Sequence, residues 1–217
     1  MTIEVTLLCS NKAHPIYPVL ERWCQSNQEK VKAKLLNNVD SIKAGGDILF
    51  LVSCTEIVPP IIRRKFTYSL TVHASDLPHG RGWSPHIWDV ILGKDKITVS
   101  LLNAEDRVDT GEIWQQRHIR LNGSELYDEI NALLFEAEID LISWACLNIS
   151  ITSPMPQRND EPSYYKKRTP ADSKIDINKS IREQFDLLRV CDPDRYPAFF
   201  EQNGRKFKLV IERYDEK

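Results

Sequence analysis

Short apolar runs alternate along this chain with stretches in which apolar residues return every third or fourth position, so strands are expected to alternate with helices. Ile3–Leu8 reads as an opening strand, followed by a polar loop over Cys9–His14. Pro15 and Pro18 lead into a helix ending near Cys24, and Val31–Leu36 reads as a short strand. After a break at Gly45-Gly46, Ile48–Val52 is a continuous apolar run of the kind buried on both faces in a parallel sheet. Pro59-Pro60 suits the first turn of a short helix through Arg64, and Phe66–Val72 is the next strand. Ser84-Pro85 predicts a helix start with an N-cap serine, and Gly93 its stop. Strands are expected over Ile97–Leu102 and Ile113–Leu121. Ser124 is expected to cap a long helix that carries Leu126, Ile130, Leu133, Leu134, Ala137, Leu141 and Ala145 on one face.

Pro154 marks a boundary, which divides the chain into an α/β unit over 1–153 and an extension over 154–217. Pro154–Lys174 is rich in proline and charge and reads as an extended surface segment. Ile177–Val190 reads as a helix, and Asn203-Gly204 between apolar stretches in Phe199–Ile211 predicts a hairpin. The expected fold class is α/β, a mostly parallel sheet flanked by helices with a small C-terminal helix and β-hairpin.

The 41% hydrophobic and 28% charged residues are ordinary for a globular chain, and 217 residues suffice for a core without metal or disulfide support. A net charge of −2 gives no basic excess for nucleic acid, whose affinity rests on phosphate contacts. Cys9, Cys24, Cys54, Cys146 and Cys191 are scattered, without the close pairs that hold zinc, and read as free thiols of a reducing cytoplasm. No run approaches the length of a membrane span, and Met1–Glu4 lacks a basic signal-peptide start. The expectation is a cytoplasmic protein with neither nucleic acid nor membrane as partner.

Two segments carry candidate chemistry. The first, Thr71 to Gly82, leaves a strand at the sheet edge where open α/β folds bind ligands. Thr71 and His73 lie two apart and so share a face, and a histidine there suits a general acid or an oxyanion donor. The second, Asp106-Arg107-Val108-Asp109-Thr110-Gly111, follows another strand, and a partly desolvated Asp109 suits a base. Each residue taken alone reads as readily as a hydrogen-bonded structural histidine or an Asx turn; the two loops at one sheet edge read as a site.

His73-Ala74-Ser75-Asp76-Leu77-Pro78, Arg81-Gly82, Pro85 to Trp88, Ile97 to Ser100 and Val108-Asp109-Thr110-Gly111-Glu112-Ile113 stand in the order and spacing of a known family. The chain resembles the N10-formyltetrahydrofolate-dependent formyltransferases. The resemblance extends to Ile48–Pro59 and to Tyr164–Pro170, Ile175-Asp176, Leu188-Arg189 and Arg195–Phe199, about three-quarters of the chain. It implies a Rossmann-like sheet, pruned here because Leu8 reaches Gly45 with little room for the family's second strand and longer crossover. That short start is similar to the compact sugar-nucleotide members of surface-sugar pathways.

The resemblance implies N10-formyltetrahydrofolate as co-substrate, no metal, and His73 and Asp109 as catalytic residues. Thr71 stands where the family has an asparagine, which exchanges an amide donor for a hydroxyl on a shorter arm. Backbone groups of Cys54, Thr55, Glu56 and Ile57 and of Asp106, Arg107 and Val108 are placed around the pterin. Arg81, His79 and Lys12 are candidates to meet an acceptor's phosphates. The expected acceptor is a nucleotide-linked amino sugar, because the part after Pro154 is short for a tRNA-engaging barrel and Cys9–His14 lacks the glycines of a phosphate loop. An aminoacyl acceptor on tRNA or a carrier protein, a binding module without turnover, and a homodimer are left open.

Overall fold

The computed structural model describes residues 2–214, and its centre is a six-stranded sheet. Ile3–Leu8 (β1), Val31–Leu36 (β2), Gly46–Val52 (β3) and Phe66–His73 (β4) run parallel in the order β2-β1-β3-β4. Arg81–Gly82 is a two-residue strand, β5, outside this sheet. Lys96–Asn103 (β6) then pairs antiparallel with β4, and Ile113–Arg120 (β7) antiparallel with β6. The sheet is therefore mostly parallel, as the apolar run at Ile48–Val52 implied. Ile48, Phe50 and Val52 face one core and Leu49 the other, so β3 is covered on both sides.

The larger core lies under three helices, Tyr17–Ser26 (α1), Pro85–Ile91 (α3) and Tyr127–Asn148 (α4). Leu20, Trp23, Ile87, Val90, Leu134 and Ile142 from these helices close over the sheet, and burying each such side chain is worth roughly 1.5–3 kcal/mol. The opposite face is thinner. One turn at Val39–Ser41 and the short helix Pro60–Arg63 (α2) cover Leu8, Leu49 and Phe66 there with Ile42, Val58 and Ile62.

Several local expectations are corrected. The stretch from Leu8 to Gly45 does hold a full crossover: ten residues of α1 return the chain to β2, whose six residues pair with β1 along their whole length. Ser84 is left-handed (φ 47°) and its side chain caps nothing, since capping needs extended dihedrals; Pro85 does open α3, and Gly93 follows its end with φ 78°. Ser124 does not cap α4. Its N–H and hydroxyl both turn back to Asn122 Oδ1, and the helix starts three residues later, where the Glu129 carboxylate accepts from the Leu126 N–H at 2.9 Å. The helix expected over Ile177–Val190 shrinks to Phe185–Arg189 (α5) behind a single turn at Arg182–Gln184. Polar side chains there bond locally instead: Asp176 accepts from Asn178 N–H, and Gln184 reaches the carbonyls of Asp176, Lys179 and Ser180.

The segment after α4 lies partly against the rest of the chain. Tyr164–Tyr165 (β8) pairs in parallel with β5, and Arg168 and Ser173 are buried. Ala198–Gln202 (β9) and Arg205–Leu209 (β10) form the expected hairpin, with Asn203 and Gly204 both at positive φ as a tight two-residue turn demands.

Candidate functional site

The period of two along β4 puts Thr71 and His73 on the face opposite Leu70 and Val72, which point into the larger core. His73 is the last residue of the strand, level with Ser100 of β6. The loop that follows is pinned back onto the sheet, because the Ser100 hydroxyl donates to the Ser75 carbonyl at 2.7 Å and Gln116 donates to Ser100 Oγ. His73 Nε2 donates to the Gly80 carbonyl at 3.0 Å, since a carbonyl can only accept. That leaves Nδ1 facing Asp109, whose Oδ1 lies 3.6 Å away. Both side chains are almost wholly withdrawn from solvent, at 10% and 3% exposure.

Asp109 is delivered by the loop between β6 and β7. Gly111 makes the return tight: a Cβ there would lie 2.0 Å from the Asn103 carbonyl oxygen, so only glycine fits. Asp109 itself has a left-handed backbone (φ 58°), uncommon for a residue with a side chain and often stored at working sites. The second carboxylate oxygen accepts from the Gly82 N–H at 3.0 Å. Asp109 is thereby tied to both β4's exit loop and its own turn, and a buried carboxylate and an imidazole meet at one sheet edge. Together they can hold or pass a proton, and the ring can present an Nδ1–H to a developing negative charge once it is protonated.

The two loops expected around a pterin are joined by a residue that sequence reasoning missed. Arg63, at the end of α2, donates to the Val58 carbonyl at 3.2 Å, to the Ala104 carbonyl and to the Asp106 carboxylate. It thus links the loop of Cys54, Thr55, Glu56 and Ile57 to that of Asp106, Arg107 and Val108. The first loop is held by Ser10, which accepts from Thr55 N–H at 2.8 Å, and by Glu56, which accepts from Val39 N–H at 2.9 Å. Cys54 Sγ points back to the Glu56 carbonyl, and burial raises its pKa. Ile57 and Val108 present exposed apolar side chains, at 87% and 66%.

The three residues expected to meet phosphates are placed very differently. Arg81 is buried and already engaged, donating to Gln157 Oε1 at 2.6 Å and to the Tyr164 hydroxyl at 3.2 Å. His79 is half-exposed with Nε2 3.6 Å from Asp160 Oδ2. Lys12 is exposed on the loop after β1. Among the described residues neither His79 nor Lys12 touches the His73–Asp109 pair. Gln157 and Tyr164 were also missed. Tyr164 binds Arg81 and also Arg107, at 3.0 Å, and it lies in a segment whose resemblance had been noted; Gln157 carries no local signal.

Residues 4–145 match the family described as formyl transferase. The methionyl-tRNA formyltransferase of Rickettsia typhi is 28% identical over 199 residues, covering 91% of this chain and 63% of that protein. The chain therefore spans less than two thirds of the length of such curated relatives. HypX of Aquifex aeolicus, solved in complex with tetrahydrofolic acid, superposes with a TM-score of 0.78 at 16% identity, covering 97% of this chain and 38% of HypX. A 4-N formyltransferase of Francisella tularensis superposes with a TM-score of 0.76 at 17% identity, over 99% of each chain. At these identities the structural likeness is one of fold.

Proposed function

Because the chain belongs to the formyl transferase family, we propose that it moves the formyl group of N10-formyltetrahydrofolate onto the primary amine of a nucleotide-linked amino sugar. The observation that carries the reading is the buried His73–Asp109 pair at the carboxyl edge of β4, 3.6 Å apart. The folate side is supported by the two loops that Arg63 joins and by the likeness to a fold solved with tetrahydrofolic acid.

The reacting carbon is placed at the Nδ1 edge of His73, the edge not held by Gly80. The neutral amine attacks the formyl carbon, and the C–N bond forms as the carbonyl oxygen takes the negative charge. The Thr71 hydroxyl donates to that oxyanion, and His73 does so from Nδ1 once Nδ1 holds the proton released by the amine. The ammonium proton leaves to the Asp109–His73 pair, the bond from carbon to N10 breaks, and the same proton is returned to N10. Atoms and charge balance without a metal. Fixing both reactants beside the pair converts a bimolecular encounter into an intramolecular one, which can supply about 7–11 kcal/mol of the barrier when alignment is good.

The acceptor class is supported by the likeness to a 4-N formyltransferase over nearly the whole of both chains, and by the mildly acidic net charge. A methionyl-tRNA acceptor is the second reading, motivated by the sequence relatives. The deciding experiment incubates the purified chain with N10-formyltetrahydrofolate and, in separate reactions, UDP- and dTDP-linked 4-amino-4,6-dideoxy sugars and methionyl-tRNA. Mass spectrometry should show a gain of one formyl group on an amino sugar. Formylation confined to methionyl-tRNA would replace the acceptor, and folate binding without any formylated product would leave a binding module.

A further inference from the structure

The geometry points to Gln157 as the positioning residue of Asp109, which makes the chain beyond α4 part of the reacting site; this inference rests on the reading of the His73–Asp109 pair given above. The side-chain amide of Gln157 spends each of its donors on the 106–111 turn, with Nε2 2.9 Å from the Asp109 carbonyl and 2.9 Å from the Gly111 carbonyl. Its oxygen accepts from Arg81 at 2.6 Å. The orientation of the amide is therefore unambiguous, because a flipped amide would face two carbonyls with an acceptor and a guanidinium with a donor.

These contacts close a ring. From the Asp109 carbonyl the path runs through Gln157 to Arg81, on to Gly82, and from the Gly82 N–H back to Asp109 Oδ2. The main chain and the carboxylate of Asp109 are thus clamped from the same side. A left-handed aspartate persists only where its surroundings over-determine it, and this clamp does so. The strap that carries Gln157 is fastened independently of it: the Ser163 carbonyl accepts from Arg81 N–H, Ser163 Oγ accepts from Gly80 N–H, and the Tyr165 carbonyl accepts from Trp83 N–H. Between Met155 and Asp160 every other residue is exposed, and Gln157 alone turns inward. A side chain that offers two donors and one acceptor without charge is what this position uses. Leucine would leave both carbonyls bare, and glutamate would keep the Arg81 contact while losing both donors.

The test is a double-mutant cycle in the full chain, with N10-formyltetrahydrofolate and a UDP-linked 4-amino-4,6-dideoxy sugar, and methionyl-tRNA in parallel. Gln157→Leu should lower kcat about 10²-fold, the scale of a small misplacement of a reacting group, with the KM for formyl-folate nearly unchanged. Gln157→Glu should do the same, and it holds the strap through Arg81 should the leucine variant fail to fold. In an Asp109→Asn background either substitution should lower kcat by less than about twofold, because two residues acting through one step are not additive. Wild-type kcat in both Gln157 variants, or a full further loss in the Asp109→Asn background, would overturn the inference while leaving the pair's role intact. Wild-type rates for His73→Ala and Asp109→Asn would instead remove the reading on which it rests.

Discussion

His73 has one nitrogen committed to the Gly80 carbonyl and the other facing a carboxylate, so its ring is held from two sides before any substrate arrives. Thr71, two residues earlier on the same face, is the second donor proposed for the oxyanion. Its hydroxyl makes no hydrogen bond to protein among the described residues, which leaves it free for a ligand. Thr71→Val keeps the shape and removes the hydroxyl. If Thr71 serves as the donor that an asparagine supplies elsewhere in the family, kcat should fall by about 10²-fold, the cost of one lost oxyanion donor, while the KM for formyl-folate stays within a small factor. Steady-state kinetics on the valine variant checks this, and an unchanged kcat would leave His73 as the oxyanion donor without Thr71. Strand ends and loop composition marked the histidine and the aspartate as candidates beside structural readings, while their catalytic roles and that of Thr71 were what the family resemblance implied. Arg63 and Gln157 were not legible. Their partners lie 43 and 48 residues away, and nothing local marks a guanidinium or an amide that completes a turn elsewhere.

Among the elements, strands buried on both faces announced themselves. The apolar run at Ile48–Val52 leaves no other reading once its length is short, and Asn203-Gly204 demands a turn with positive φ at both positions. Helix starts were less legible, because they turn on single hydrogen bonds. The choice between Ser124 and Leu126 was decided by whether Asn122 or the helix amides captured the serine. The β6–β7 connection is the element on which the site depends most. Asn103 N–H donates to the Glu112 carbonyl and Gly111 sits against the Asn103 carbonyl, so the turn is packed backbone on backbone. Gly111→Ala would force a methyl into that carbonyl at 2.0 Å. The turn must open, which should cost at least about 2 kcal/mol and displace Asp109 together with it. Denaturant unfolding should show the lost stability, and formyl transfer should fall with it; an alanine variant as stable and active as wild type would contradict the close approach.

Over the whole molecule, stability should depend on pH through groups buried away from the pair. Glu138 lies inside the larger core side of α4 with Oε2 buried and unbonded, and burial raises its pKa to about 8. Folded Glu138 therefore holds a proton that the unfolded chain releases above its ordinary value of 4.5, so its contribution falls as pH rises from about 4.5 to about 8. Glu138→Gln removes that dependence and should stabilise the fold by on the order of a few kcal/mol at pH 8, read as a higher melting temperature, with little gain near pH 4.5. Melting curves across that window would refute the assignment if the two proteins tracked each other. His86 works in the other direction. Its ring turns inward rather than to solvent, Nδ1 is buried, and burial first, then the nearby charges of His14, His73 and Arg168, lowers its pKa to about 3. The unfolded chain takes up a proton below 6.5 that the fold refuses, so stability is lost as pH falls from about 6.5 toward 3. The central claim nevertheless lies at the sheet edge, and one comparison reaches it directly. Formyl transfer is followed by mass in wild type, His73→Ala and Asp109→Asn, with formyl-folate binding measured on the same samples. The account predicts that both variants bind the folate and lose about 10² to 10⁴ in rate, the range for removing a positioned acid–base group. Rates near wild type in either variant, with folate bound, would contradict it.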